Sequence, residues 1–267
     1  MMKIRFTFSV IFFLAVLLSD VRANELIIGT TTSTKSSGLL DKLIPAFEES
    51  SGLKVMLYTV GTGKALRMAR QGKVDVLLVH APKAEKKFIK DGFGISRTPI
   101  MKNDFVIVGP KSDPAGIFNL HDASASLTKI HLSKSLFVSR ADDSGTHKKE
   151  LSIWETSNIE PYGDWYFELG AGMGQTLNVA NDKQAYLLID RGTWLAKRKQ
   201  VSLVLHVEGD ALLDNPYSVI AINPKRHRNV SIQGAKKFIK WITSSHGKEI
   251  INALKVDGEK LYTVTSK

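Results

Sequence analysis

The chain has 267 residues, 43% apolar and 24% charged. That balance belongs to a soluble globular protein with enough chain for one large domain or two lobes. It holds no cysteine, which excludes a disulfide framework and a lipid tether on an N-terminal Cys. The formal net charge of +11 suits anionic partners, although lysines scattered singly or in pairs such as Lys86-Lys87 and Lys236-Lys237 read as a solvated basic surface.

Residues 1–23 read as a cleavable signal peptide. Lys3 and Arg5 form a positive start, Phe6 to Leu18 is too short an apolar run to span a bilayer, and Val21-Arg22-Ala23 suits cleavage after Ala23. Export to the periplasm is therefore expected, and it argues against a nucleic-acid partner. Removal of Lys3, Arg5, Arg22 and Asp20 leaves a charge of about +9.

The remaining chain begins with an apolar run, Leu26-Ile27-Ile28, leading into Gly29-Thr30-Thr31-Thr32-Ser33-Thr34. The spacing after Ser37 predicts a helix over 39–47, kinked at Pro45 and ended by Gly52. A strand follows at 54–58, a helix start at Gly61-Thr62-Gly63-Lys64-Ala65, a buried strand at 74–79 and a helix at 84–90 closed by Gly92. This β-α-β-α-β-α order predicts an α/β layer with a largely parallel sheet. A strand at 104–110 has a near-copy at 215–224, and a second β/α series lies between them. It comprises a helix at 120–127, a strand at 136–139, a helix opening at Ser144, an aromatic strand at 165–168, a helix opening at Gln175, and a strand and helix over 186–197. Amphipathic helices at 234–242 and 247–254 would close the first lobe. Two crossings between lobes make a hinge and a cleft: lobe 1 is expected over 24–107 and 219–267, lobe 2 over 108–218.

Four stretches at strand-to-helix turns carry the chemistry. The hydroxyls of Thr30, Thr31, Thr32 and Ser33 are neutral donors beside a helix start, where an anion is favoured. Thr62 adds a hydroxyl between two glycines. This is not a nucleotide-binding phosphate loop, because Tyr58 stands where that motif needs Gly and Ala65 where it needs Ser or Thr. Arg140 ends a strand and offers a planar fork for an oxyanion; Ser144 and Thr146 open the following helix, and Asp142 or Asp143 would cap it or orient the Arg. Gly170 to Leu177 is again glycine-rich and helix-opening, which brings in Gly174 and Thr176. His80 and His147 lack partners at metal-ligand spacing. Ser144, His147 and Asp143 could compose a hydrolase triad on paper, but no Gly-x-Ser-x-Gly elbow is present.

Gly29 to Ser33, Ser37 to Leu40, Gly61 to Ala65, Val74 to His80, Arg140 to Thr146, Gly172 to Thr176 and Asp190 to Thr193 together resemble the periplasmic tungstate-binding proteins of ABC importers. The resemblance spans essentially the whole chain after residue 23. It implies a type II periplasmic-binding fold, α/β with two Rossmann-like lobes joined by a two-strand hinge, and an oxyanion in the cleft. It further implies permease and ATPase subunits as partners, with no cofactor, no catalysis and a monomeric receptor. The family's Thr-Thr-Thr-Ser signature falls on Thr30 to Ser33, its cleft hydroxyl on Thr62, and its anion-binding Arg and Thr on Arg140 and Thr146.

The ligand class has an independent argument. Tungstate, molybdate and sulfate are fully deprotonated at neutral pH, so N–H and O–H donors with one Arg satisfy them. Phosphate keeps a proton and would want a carboxylate acceptor. Tungstate over molybdate rests on the resemblance alone; molybdate, sulfate or phosphate is the alternative within the same fold, and a secreted hydrolase the alternative outside it.

Overall fold

The computed structural model describes residues 24–265; the signal peptide expected over 1–23 lies outside them. β1 (Glu25–Thr31) pairs in parallel with β2 (Lys54–Val60) on one side and β3 (Val76–Val79) on the other. Its central place explains why Leu26 and Ile28 are fully buried. The expected parallel layer is therefore present, and β9 (Asp214–Ile222) extends it antiparallel to β3.

The Thr-rich stretch does not stay a turn. It forms a short helix, α1 (Thr32–Ser36), whose N-cap is Thr31. α2 (Leu39–Ser51) follows and places Leu39, Leu40, Leu43, Ile44 and Phe47 in the core. It continues through Pro45 and beyond the expected residue 47, ending at Gly52 in the left-handed conformation, φ 72°. α3 (Thr62–Arg70) and α4 (Pro82–Lys90) complete the first series.

β4 (Gly94–Gly109) is ten residues longer at its start than the expected strand. Its first half mixes Arg97, Pro99 and Lys102 among apolar residues, so it shows no apolar run, and the pairing with β9 shifts register between Pro99 and Met101. Residues 94–104 of β4 pair antiparallel with β9. Residues 105–109 pair instead with β7 (Leu187–Asp190) and β8 (Val204–Val207). The near-copies seen in the sequence meet only at their starts, Asn103 opposite Asn215 and Asp104 opposite Asp214; beyond Asp104, β4 carries the chain from one sheet into the other.

The second lobe holds α5 (Ala123–Ser133), β5 (Phe137–Ser139), α6 (Gly145–Thr156), β6 (Tyr166–Glu168), α7 (Met173–Lys183) and α8 (Arg191–Lys197). α5 starts three residues later than the spacing predicts because Asp122 caps it, accepting the Ala125 N–H at 2.8 Å. β8 was not expected; its four residues fall between two irregular stretches. α9 (Ile232–Ile242) and α10 (Ser245–Ala253) return to the first lobe, where Phe238 meets Phe47 edge-on at 5.1 Å. Phe105, Phe137, Trp154 and Tyr186 centre the second lobe's own core. The architecture is α/β in two lobes. None of the helices among the described residues is long and apolar enough to cross a membrane.

Candidate functional site

On the first lobe, β1 delivers Thr30 fully buried, and its Oγ1 has no hydrogen-bond partner among the described residues. Thr31 is committed locally. Its Oγ1 accepts the Thr34 N–H at 3.3 Å and lies 2.6 Å from Thr34 Oγ1 and 3.1 Å from Ser33 Oγ. Thr32 is exposed. α3 begins at Gly61, which lends no side-chain cap, so the helix opens with free N–H groups. Thr62, its first residue, is fully buried with Oγ1 unpartnered. A buried hydroxyl left without a partner costs about 1–3 kcal/mol, so both threonines mark a place where the fold tolerates a loss that a ligand acceptor would offset.

On the second lobe, Arg140 sits where β5 ends and is 4% exposed. Its Nη2 donates to Asp142 Oδ2 at 2.5 Å, its Nη1 to Thr146 Oγ1 at 3.4 Å and its Nε to the Ala171 carbonyl at 3.4 Å. Asp142 also accepts the Ser144 N–H at 3.2 Å. Asp142 is therefore the carboxylate that orients Arg140. Asp143 points elsewhere, to Arg67 Nη1 at 2.9 Å and to Lys148. Ser144 is buried and caps α6, its Oγ accepting the His147 N–H at 3.2 Å. Thr176 is fully buried, but its hydroxyl donates to the Gly172 and Ala171 carbonyls at 3.0 and 3.3 Å. It reaches Arg140 only through Ala171, and Gly174 lies half-buried in the first turn of the same helix, α7.

The two groups meet at the helix starts. A Cβ placed on Gly61 would lie 3.7 Å from Ser144 Cα, so α3 and α6 open against each other. The structure thus brings Ser144, which lies between Arg140 and Thr146 in the chain, against Gly61, the residue before Thr62. It sets Thr32 apart, and it holds the hydroxyls of Thr31 and Thr176 in backbone and neighbour contacts.

His80, which ends one of the stretches of the family resemblance and has no metal-ligand partner in the sequence, belongs to this junction. Its ring stacks on Tyr217 at 4.6 Å and lies against Gly145, where a Cβ would come within 2.6 Å of it. His80 Nδ1 is 2.8 Å from Asn215 Oδ1, while Asn215 Nδ2 donates to Asn103 Oδ1 at 2.8 Å and to Tyr217 Oη at 3.2 Å. With the amide hydrogens so placed, Nδ1 is the donor and Nε2 the acceptor, 3.4 Å from Ser33 Oγ. Burial pushes the imidazole down to about 4; the Asn215 hydrogen bond opposes this, and the Arg140 and Lys149 charges add to it. His80 is accordingly neutral at pH 7. The signal in the sequence was the pair of Asn residues at matching places in the near-copy strands.

The triad drawn on paper does not form. His147 Nδ1 accepts the Asp143 backbone N–H at 3.2 Å, so the carboxylate does not orient the ring, and Ser144 Oγ caps the helix backbone.

The chain matches the PBP superfamily domain over residues 19–246. It is 45% identical over 229 residues to the tungstate-binding protein TupA of Peptoclostridium acidaminophilum, covering 85% of this chain and 80% of the relative. It is 43% identical over 240 residues to TupA of Campylobacter jejuni, covering 88% and 89%. The solved structure of TupA from Desulfovibrio alaskensis G20 superposes with a TM-score of 0.79 at 43% identity, covering 91% of this chain and 99% of that one. Taken with the two-lobed architecture, these matches place the chain in the PBP superfamily, in the family of the TupA proteins.

Proposed function

We propose that the protein is a periplasmic receptor that captures a tetrahedral oxyanion, tungstate first among them, between its lobes and hands it to the permease and ATPase subunits of an ABC importer. The ligand is held by Arg140, Thr62 and Thr30, with Ser144, Thr146 and the N–H groups opening α3 and α6 completing the shell. Ser33 and the Thr31 hydroxyl shape its first-lobe wall, and Gly174 and Thr176 support Arg140 from behind. The lobes divide on β4 after Asp104 and at the start of β9 at Asp214, a few residues before the expected 107/108 and 218/219, and close on the anion as a monomer.

The observation that carries this reading is a junction with unpaired hydroxyls and an Arg, at which neither Asp142 nor Asp143 is a free carboxylate. The Thr30 and Thr62 hydroxyls are buried without partners among the described residues. The two carboxylates that follow Arg140 are engaged with cations, Asp142 with Arg140 and Asp143 with Arg67 and Lys148. A fully deprotonated dianion needs donors alone, whereas hydrogen phosphate would want a free carboxylate to take its proton, and neither Asp142 nor Asp143 is free to do so. The names of the TupA relatives agree with tungstate.

Calorimetric titration of the purified protein with tungstate, molybdate, sulfate and phosphate tests the reading. Tungstate is expected to bind and phosphate to bind least; failure of all four contradicts it. Arg140→Ala should weaken binding about 10- to 100-fold, the range for loss of a charged hydrogen-bond donor. Unchanged affinity would remove Arg140 from the site.

A further inference from the structure

Asp143 stands next to the carboxylate that orients Arg140, yet it makes no contact with that Arg. Its Oδ2 accepts from Arg67 Nη1 at 2.9 Å. Arg67 lies on α3, on the opposite side of the junction from residue 143, 76 positions away in sequence. Lys148, on α6 beside Asp143, grips the other carboxylate oxygen. The surface of α3 under this contact is shaped for it. A Cβ on Gly63 would lie 2.7 Å from Asp143 Cγ and 2.9 Å from its backbone carbonyl, so only glycine lets the 143 segment rest on the helix. The segment also has an unusual backbone. Ala141 and Asp143 take positive φ of 47° and 59°, which rotates successive side chains so that Asp142 faces Arg140 and Asp143 faces α3. Burial pushes the Asp143 carboxyl up, but the hydrogen bonds from Lys148 and Arg67 outweigh it and hold it below the usual carboxylate range, so it is charged at neutral pH.

We propose that Arg67 and Asp143 form a latch across the cleft. It holds the lobes together over the bound anion and, through the shared 141–143 segment, steadies Asp142 against Arg140. This rests on the oxyanion reading above and adds to it a pair of positioning residues that do not touch the ligand. Arg67 is 63% exposed in its side chain and Asp143 47%. An ion pair so open contributes modestly, so the latch governs how long the anion stays, not whether it is recognised.

The test is the rate of exchange of radiolabelled tungstate from the full-length mature protein, chased with unlabelled tungstate, beside the association rate. Arg67→Met keeps the aliphatic stem, and Asp143→Asn keeps a residue that tolerates the left-handed backbone. Each should speed dissociation about three- to fivefold with association changed by less than about twofold, in keeping with an exposed pair. The double variant should be no faster than either single one. Added salt should speed release from the wild type and leave the double variant unmoved. The charge swap Arg67→Asp with Asp143→Arg should recover part of the slow release, which a merely structural role would not. If wild-type protein binds tungstate and the two single variants release it at the wild-type rate, the latch is overturned while the oxyanion reading stands. A change confined to association would also overturn it. If the wild type binds no oxyanion, the oxyanion reading fails and the latch with it.

Discussion

At the scale of single residues, the threonines at 30 and 62 are the most informative. A buried hydroxyl without a partner lowers the stability of the unliganded protein, and the isosteric change to Val removes the cost while keeping the shape. Thr62→Val should therefore raise the melting temperature of the ligand-free protein by about 2–4 °C and weaken tungstate binding about fivefold, for loss of one donor. Scanning calorimetry with and without tungstate reads both; a variant less stable without ligand and equally tight with it would take Thr62 out of the site. The place of Arg140, at the end of β5 before the Ser144-capped helix, was legible in the sequence. The choice between Asp142 and Asp143 was not. Two adjacent carboxylates look alike in sequence, and only the positive φ at 143, φ 59°, separates them. His80 escaped for a similar reason: its role depends on Asn215, 135 residues away.

At the scale of elements, the helix starts define the site, and α6 supplies two of its residues. What holds α6 on the sheet is Glu150. Its carboxylate, buried, accepts from Ser139 at 2.9 Å on β5, Tyr166 at 2.7 Å on β6 and Trp154 at 3.3 Å on its own helix. Burial pushes this carboxyl up to about 7, against the three hydrogen bonds that lower it. Below the ordinary carboxylate range both folded and unfolded chains hold the proton, so the group is neutral in the balance. Between that range and about 7 the folded chain keeps the proton and the unfolded chain loses it, so stability falls as pH rises. Glu150→Gln should melt as the wild type does at pH 4.5 and about 5 °C higher at pH 8. Equal melting at both pH values would show that the carboxyl ionises normally. The helices were legible from their apolar spacing and caps, as with Ser144 before α6. The first half of β4 was not, since its pairing with β9 rests on backbone contacts that a Pro and two basic residues disguise. α1 was hidden because a run of Thr and Ser reads as a turn, although Thr31 supplies the cap that starts a helix.

At the scale of the molecule, β4 and β9 decide the shape. β4 leaves one sheet at Asp104 and joins the next at Phe105, and the Asn103–Asn215 bond of 2.8 Å beside this crossing connects to His80. The crossing strands therefore sit one residue contact from the wall of the site, which links hinge and cleft physically. The two-lobed plan could be read from the near-copy strands, because both are apolar runs flanked by Asn and Pro. Where the lobes touch could not be read, because those contacts, Gly63 with Asp143 and Gly145 with His80, depend on glycines whose partners lie far along the chain. The central claim is that an oxyanion sits where Arg140 faces the opening of α3. A crystal of the protein grown with tungstate, measured at the tungsten absorption edge, locates the metal directly. A single anomalous peak between the Arg140 guanidinium and the Thr62 hydroxyl is the predicted result. A peak elsewhere on the molecule, with Thr62 still unpartnered, would contradict it.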